Sequence, residues 1–395
     1  MSKYIHYFNN ENDFDEMRSV EKYYEPWLSF TKQNKTQTED IDRSDYNKTE
    51  EEKERERLKF VPLTFEIQSD GNIIWKSTNT GVTRTIEYSK DNGQTWTSIT
   101  SATGDTAPSI SVESGDTVQF RGDNTAYGTS GSYYSCFSGN TAQFSIKGNV
   151  MSLINSTDFS DLTTLESAYT FGYLFRNCTG LTDASNLLLP ATKLASNCYS
   201  DMFYGCTSLT TAPELPASAL TESCYSGMFY NCNSLTTAPE LPATTLEYYC
   251  YQFMFYGCTS LTTAPALPAT TLVSYCYEYM FQGCTNLVQA PELPATTLTK
   301  QCYMNMFQGC TSLTTAPTLP ATTLAQYCYY QMFSGCSSLN YIKCLATNIS
   351  ATDCTKNWVS GVASTGTFVK PASTDWSSKT GDNGIPNNWT VQDAS

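Results

Sequence analysis

The sequence predicts a repeat solenoid preceded by an all-β, sandwich-like domain. Three observations lead there. Methionine returns at positions 202, 228, 254, 280, 306 and 332, a strict period of 26 residues. The first five sit in near-verbatim copies of Met202-Phe203-Tyr204-Gly205-Cys206-Thr207-Ser208-Leu209-Thr210-Thr211-Ala212-Pro213-Glu214-Leu215-Pro216, and the copy at Met332 diverges after Leu339. Ahead of the copies, short runs that alternate apolar and polar residues begin at Phe60, and residues 1–60 before them are mostly polar and charged.

The first 60 residues read as a charged leader or attachment segment. Their one aromatic island is Tyr23-Tyr24-Glu25-Pro26-Trp27-Leu28-Ser29-Phe30, and Tyr24, Pro26, Trp27 and Phe30 are the candidate attachment residues. Thr49 to Arg57, rich in Glu, reads as a solvated helix or charged linker. The segment is either a disordered leader or an anchor that folds against a larger assembly. No apolar run near Met1 has the length of a secretory signal, and none reaches membrane-spanning length. The expectation is a chain made in the cytoplasm that reaches the outside by lysis, in a virion or by a non-classical route.

Residues 61–150 read as the β domain. Strands are expected at Phe60–Ile67, Thr83–Ser89, Thr95–Ile99, Thr117–Arg121 and Thr141–Ile146, with a tight hairpin at Asn92-Gly93. Ser89-Lys90-Asp91-Asn92-Gly93-Gln94-Thr95-Trp96 fits the Asp-box pattern, a hairpin whose Asp satisfies turn amides above a packed Trp. Asp-boxes occur in sialidases. A single box without repeated blades or a basic cluster argues against glycoside hydrolysis here.

The array spans residues 151–345 and starts with an atypical copy around Leu174-Phe175 and Cys178, 28 residues before the next. Leu209 to Leu215 suits one rung of a parallel stack, and Pro216-Ala217 turns the chain. Leu220, Cys224, Met228 and Cys232 then fall at i+4 spacing, as do Tyr225 and Phe229, which predicts a short helical turn with an apolar face. In combining a Cys-x-x-Leu rung, a Pro turn and an aromatic Phe-x-x-Cys segment, the array resembles the BspA-like leucine-rich repeats. The rung departs from that pattern by one residue, so a shorter or bulged strand is expected. Residues 346–395 read as a C-terminal cap, with strands at Thr365–Lys370 and Ile385–Val391. Together with the leader and the β domain, it looks like repeat proteins of gut bacteria and the tailed phages that infect them.

The net charge of −15, with Lys300 the sole basic residue between Met202 and Asn340, offers nothing to a phosphate backbone and excludes nucleic acid as a partner. Two cysteine columns follow the repeat, Cys198 to Cys328 and Cys206 to Cys336. Reduced thiols packed as small apolar fillers are expected, with disulfides or metal binding as the alternative. The lone His6 lies in the leader, and no nucleophile elbow, phosphate-binding glycine loop or clustered carboxylate pair stands out. No enzyme activity, cofactor or metal is therefore expected, with a glycan-degrading enzyme as the outside reading.

Comparison among the copies separates core from surface. The positions that vary lie just before the first Cys and between Tyr and Met, so Tyr248, Tyr249, Phe253, Tyr275, Tyr279, Gln301, Tyr327 and Tyr330 are the candidate binding face. Thr210, Thr236, Thr262 and Thr314 with Glu214, Glu240 and Glu292 form a second candidate along the rungs. The function expected is adhesion to a host-surface glycan or protein by a virion fibre or tail-associated protein. A bacterial cell-surface or secreted adhesin is the alternative, and homo-oligomerisation stays open.

Overall fold

The computed structural model describes residues 48–394. The attachment residues Tyr24, Pro26, Trp27 and Phe30 lie outside that range. Residues 51–395 group as one unit. It is built mostly of strands, with one α-helix among the described residues, α1 (Glu50–Leu58). Leu58 closes that helix and is buried, and Arg55 pairs with Glu214 of the first full rung.

Nine strands follow: β1 (Leu63–Ile67), β2 (Gly71–Ser77), β3 (Thr85–Ser89), β4 (Thr97–Thr100), β5 (Ser109–Val112), β6 (Thr117–Arg121), β7 (Gly128–Ser130), β8 (Tyr133–Phe137) and β9 (Phe144–Asn149). The repeats contribute β10 (Leu181–Leu188) and β11 (Tyr341–Lys343), and the C-terminal segment β12 (Thr367–Lys370) and β13 (Thr390–Asp393). One sheet has the order β10-β9-β1-β6-β3-β4, a second β5-β2-β8-β7 and a third β11-β12-β13. β10 pairs parallel to β9, so the first rung of the array extends the sheet of the β region.

Alternation in β1 and β6 turns Phe65 and Phe120 inward, where both rings lie 4.9 Å from Phe137 of the second sheet. Phe65 also stacks on Phe144 at 4.5 Å and reaches Phe175 of the first repeat at 6.2 Å. β2, which the sequence reading passed over, supplies the buried Trp75. The Asp-box hairpin forms as its residues require. Asn92 and Gly93 both take positive φ, and Asp91 accepts from the Thr95 amide at 2.8 Å and the Ser89 hydroxyl at 2.7 Å.

From Phe175 the core continues as a column through Phe203, Phe229, Phe255, Phe281, Phe307 and Phe333, with ring centroids 5.4 Å apart at its start and 5.7 Å at its end. A parallel column runs from Tyr127 through Phe171 and Tyr199 to Tyr329. Both end against Trp358, whose indole donates to the Gly384 carbonyl at 2.7 Å and stacks on Trp376.

The short helical turn expected from the i+4 spacing is not there. The segment from Thr221 to Cys232 is instead a run of overlapping turns, in which every second amide bonds to the carbonyl three residues back: Cys224 to Thr221, Ser226 to Ser223, Met228 to Tyr225, Tyr230 to Gly227, Cys232 to Phe229. The remaining amides leave the repeat: Ser223, Tyr225, Gly227, Phe229 and Asn231 donate to Tyr248, Cys250, Gln252, Met254 and Tyr256 of the next copy. A helix spends its amides within one segment. Here alternate amides tie neighbouring copies together, and from Ser223 to Cys232 none is left over. The rungs are correspondingly thin, with single parallel bridges such as Thr211 to Thr237 and Thr263 to Gln289, because Pro213, Pro239 and Pro265 withhold donors.

All sixteen cysteines are buried free thiols. In one column each thiol donates to a Phe carbonyl of the preceding copy, Cys232 to Phe203 and Cys258 to Phe229, both at 3.1 Å. Burial pushes these thiols up, Cys284 to about 12.

Candidate functional site

The run of turns has a four-residue rhythm, two side chains in and two out. Cys276-Tyr277 and Met280-Phe281 point inward and are buried, while Ser274-Tyr275, Glu278-Tyr279 and Gln282-Gly283 form the outward pairs between and around them. The second member of each outward pair has left-handed φ, the value needed at the third position of a turn that continues into the next one. The result is three left-handed columns. The first holds Ser223, Tyr249, Tyr275, Gln301 and Tyr327, the second Gly227, Phe253, Tyr279, Asn305 and Gln331, and the third Asn231, Gly257, Gly283, Gly309 and Gly335.

Six of the eight residues picked from sequence variation, Tyr249, Phe253, Tyr275, Tyr279, Gln301 and Tyr327, stand in the first two columns. Tyr248 and Tyr330 are first members of outward pairs, and Tyr248 is the most open of the set, 48% exposed. The others are half-buried. Tyr249 stacks on Tyr275 and Phe253 on Tyr279, both at 4.7 Å. Tyr327 and Tyr330 meet edge to face, and the Lys300 ammonium lies 5.8 Å from the Tyr275 ring. The rings therefore join consecutive copies, Tyr249 to Tyr275 and Phe253 to Tyr279, with the Tyr327–Tyr330 pair on a later copy.

Sequence reading missed a third aromatic column. Tyr204, Tyr230 and Tyr256 stack at 4.5 and 4.4 Å, and Phe253 meets Tyr230 and Tyr256 edge-on at 61 and 63°. Their place inside the repeated Met-Phe-Tyr-Gly-Cys motif hid them. The signal was the change to Gln282, Gln308 and Ser334 at the same position further on. The Arg176 guanidinium caps this ladder 3.8 Å from the Tyr204 ring and pairs with Asp201 at 2.7 Å. A ring stacked on both sides has no free face, so Tyr230 turns its edge and hydroxyl outward. Burial among its neighbours pushes that hydroxyl up to about 12.

Glu278 sits among these columns and is only 5% exposed. Its carboxylate accepts from the Gln252 amide at 2.6 Å and the Gln301 amide at 3.5 Å. No cation stands within ion-pair distance among the described residues, and burial pushes its carboxyl above the ordinary range. In the second candidate face, the rung residues Thr210, Thr236, Thr262 and Thr314 and Glu214, Glu240 and Glu292 are all exposed.

A family model of the BspA-type leucine-rich repeat region, six copies long, matches the chain in three overlapping stretches, residues 130–264, 169–314 and 250–353, together over half its length. No curated protein and no solved structure matches it.

Proposed function

The chain belongs to the BspA-type leucine-rich-repeat family, and from that premise we propose a non-enzymatic adhesion protein whose repeat array, a capped solenoid, meets a partner on a cell surface. Surface binding is consistent with the family. The observation that carries the choice of face is the contrast within each run of turns: the inward pairs repeat almost unchanged, while the outward pairs vary and gather aromatic side chains on left-handed backbone. The thiols of the two repeat columns are held protonated by burial and act as core fillers.

In this reading residues 1–60 attach the chain to a virion as a fibre or tail-associated protein, residues 61–150 form a sandwich-like spacer and first cap, residues 151–345 meet a host glycan or protein, and residues 346–395 close the array. The alternative, display on or release from a bacterial surface, shares the array and its binding face and drops the virion.

Binding of the purified chain to intact candidate host cells and to a glycan array tests the reading. Tyr248→Ala with Tyr230→Ala is expected to reduce binding at least tenfold, and unchanged binding by the double variant would reject the face. Deleting residues 1–47, which leaves α1 in place, is expected to abolish incorporation into particles while the array stays folded. Product release from a polysaccharide panel would overturn the non-enzymatic assignment.

A further inference from the structure

Two observations mark the patch formed by residues 248–279. The first is the choice of side chain at left-handed positions that recur in every copy. Tyr249, Phe253, Tyr275 and Tyr279 have φ of 59, 57, 65 and 59°, a conformation that bulky side chains disfavour. The copies on either side place Ser223 and Gly227, then Gln301 and Asn305, at the same left-handed positions, and the third column is glycine from Gly257 onward. Four aromatic residues on two consecutive copies, where the flanking copies carry Ser223, Gly227, Gln301 and Asn305, point to a use outside folding.

The second is uncompensated charge. Glu278 lies buried between the Tyr249–Tyr275 and Phe253–Tyr279 stacks, and its hydrogen-bond donors, Gln252 and Gln301, are neutral amides. A buried carboxylate normally has a cation beside it, since removal from water costs several kcal/mol that amides only partly offset. Lys300 is placed over Tyr275 and makes no ion pair with Glu278. Other carboxylates nearby, Glu222 and Glu247, are exposed and add to a negative field.

Building on the face assigned above, we propose that residues 248–279 bind a cationic side chain of a protein partner, an arginine for preference. A guanidinium pairs with a carboxylate through two parallel hydrogen bonds and lies flat on aromatic rings, and this patch offers both kinds of contact within one copy-to-copy step. An ammonium gains less from the rings, and a neutral sugar leaves the Glu278 charge unanswered.

The test uses the full chain and two synthetic hexapeptides, one alternating glycine and arginine, the other glycine and citrulline, which keeps the shape and loses the charge. Wild type is expected to bind the arginine peptide about tenfold more tightly, the equivalent of one charge-assisted hydrogen bond. Glu278→Gln is expected to erase that preference, while Glu292→Gln, the same charge change on an exposed rung, keeps it. Equal preference in the two variants, or none in wild type, overturns the cationic inference. Should Glu278→Gln fail to fold, Phe253→Gly carries the same test. Cell binding distinguishes the levels: cells bound through this face without an arginine preference leave the face standing and remove the cation, whereas loss of all cell binding removes the face itself. Selective capture of a neutral glycan by the patch would also overturn the inference.

Discussion

The inward and outward pairs of the turn run share one backbone and one set of hydrogen bonds, yet they differ in what they tolerate. Inward, Met254-Phe255 is followed 26 residues later by Met280-Phe281, because each ring packs on the one before and after it and a mismatch disturbs both neighbours. Outward, Gln252-Phe253 becomes Glu278-Tyr279 and then Met304-Asn305, positions that accept changes of size and charge even where, as at Glu278 and Asn305, the side chain is buried and hydrogen-bonded. The difference teaches that this backbone does not depend on what it displays. The amides of Phe253 and Phe255 both bond to the next copy, and that bonding is indifferent to side chains.

The sharpest way to break the comparison is to truncate one ring on each side. Phe255→Ala removes a fully buried ring from the middle of its column and is expected to cost about 3–5 kcal/mol in denaturant unfolding. Phe253→Gly, two residues away, loses a half-buried stack and relieves left-handed strain, and is expected to stay within about 1 kcal/mol of wild type. Equal losses would mean that the outward rings are structural.

Next in size is the backbone requirement itself. A Cβ on Gly283 meets only ordinary contacts at 3.6 Å, so Gly283→Ala isolates the cost of φ +75° and is expected to destabilise by about 1–2 kcal/mol. A neutral result would remove the strain argument from the aromatic columns as well.

Acid titration distinguishes the array from the β region by sign. Burial lifts the Asp201 carboxyl to about 6 despite the Arg176 guanidinium beside it. Between pH 6 and 4 the folded chain thus holds a proton that the unfolded chain releases, and this group's contribution makes stability rise as pH falls through that window. Asp91 in the Asp-box is held at about 2 by bonds from Thr95 and Ser89, so its contribution is complete above pH 4 and lost as pH falls toward 2. Asp201→Asn is expected to remove the rise and Asp91→Asn the fall. Matching profiles for the two variants would contradict the assignment.

The smallest effect belongs to the thiols. Cys232→Ser keeps a donor for the Phe203 carbonyl and is expected to cost no more than Cys232→Ala, each about 1 kcal/mol. A much costlier serine would show that the sulfur serves as an apolar filler more than as a hydrogen-bond donor.

Much of the site was legible and part of it was misread for a traceable reason. Variation among copies singles out Tyr248 to Tyr279 as candidates without any structure, because positions freed from core packing diverge. The spacing of Leu220, Cys224, Met228 and Cys232 was read as a helix, yet three strict steps of four residues turn an α-helix by about 120° in excess of full turns and would carry Cys232 well round from Leu220. A repeat of two in and two out keeps every fourth residue on one face. The Tyr204, Tyr230 and Tyr256 ladder escaped because it sits inside the most repeated motif.

By itself the sequence determined the period, the inward columns and the direction in which copies stack, since a side chain that packs on its own equivalent must recur in register. Tertiary structure alone decided that alternate amides leave the repeat, that Tyr249, Phe253, Tyr275 and Tyr279 stand on left-handed backbone, and that Glu278 is buried among them with no cation beside it among the described residues. Tyrosine and phenylalanine disfavour that conformation locally. Only the hydrogen bonds and packing supplied by the neighbouring copy hold them there, and a neighbour 26 residues away is invisible to local propensity.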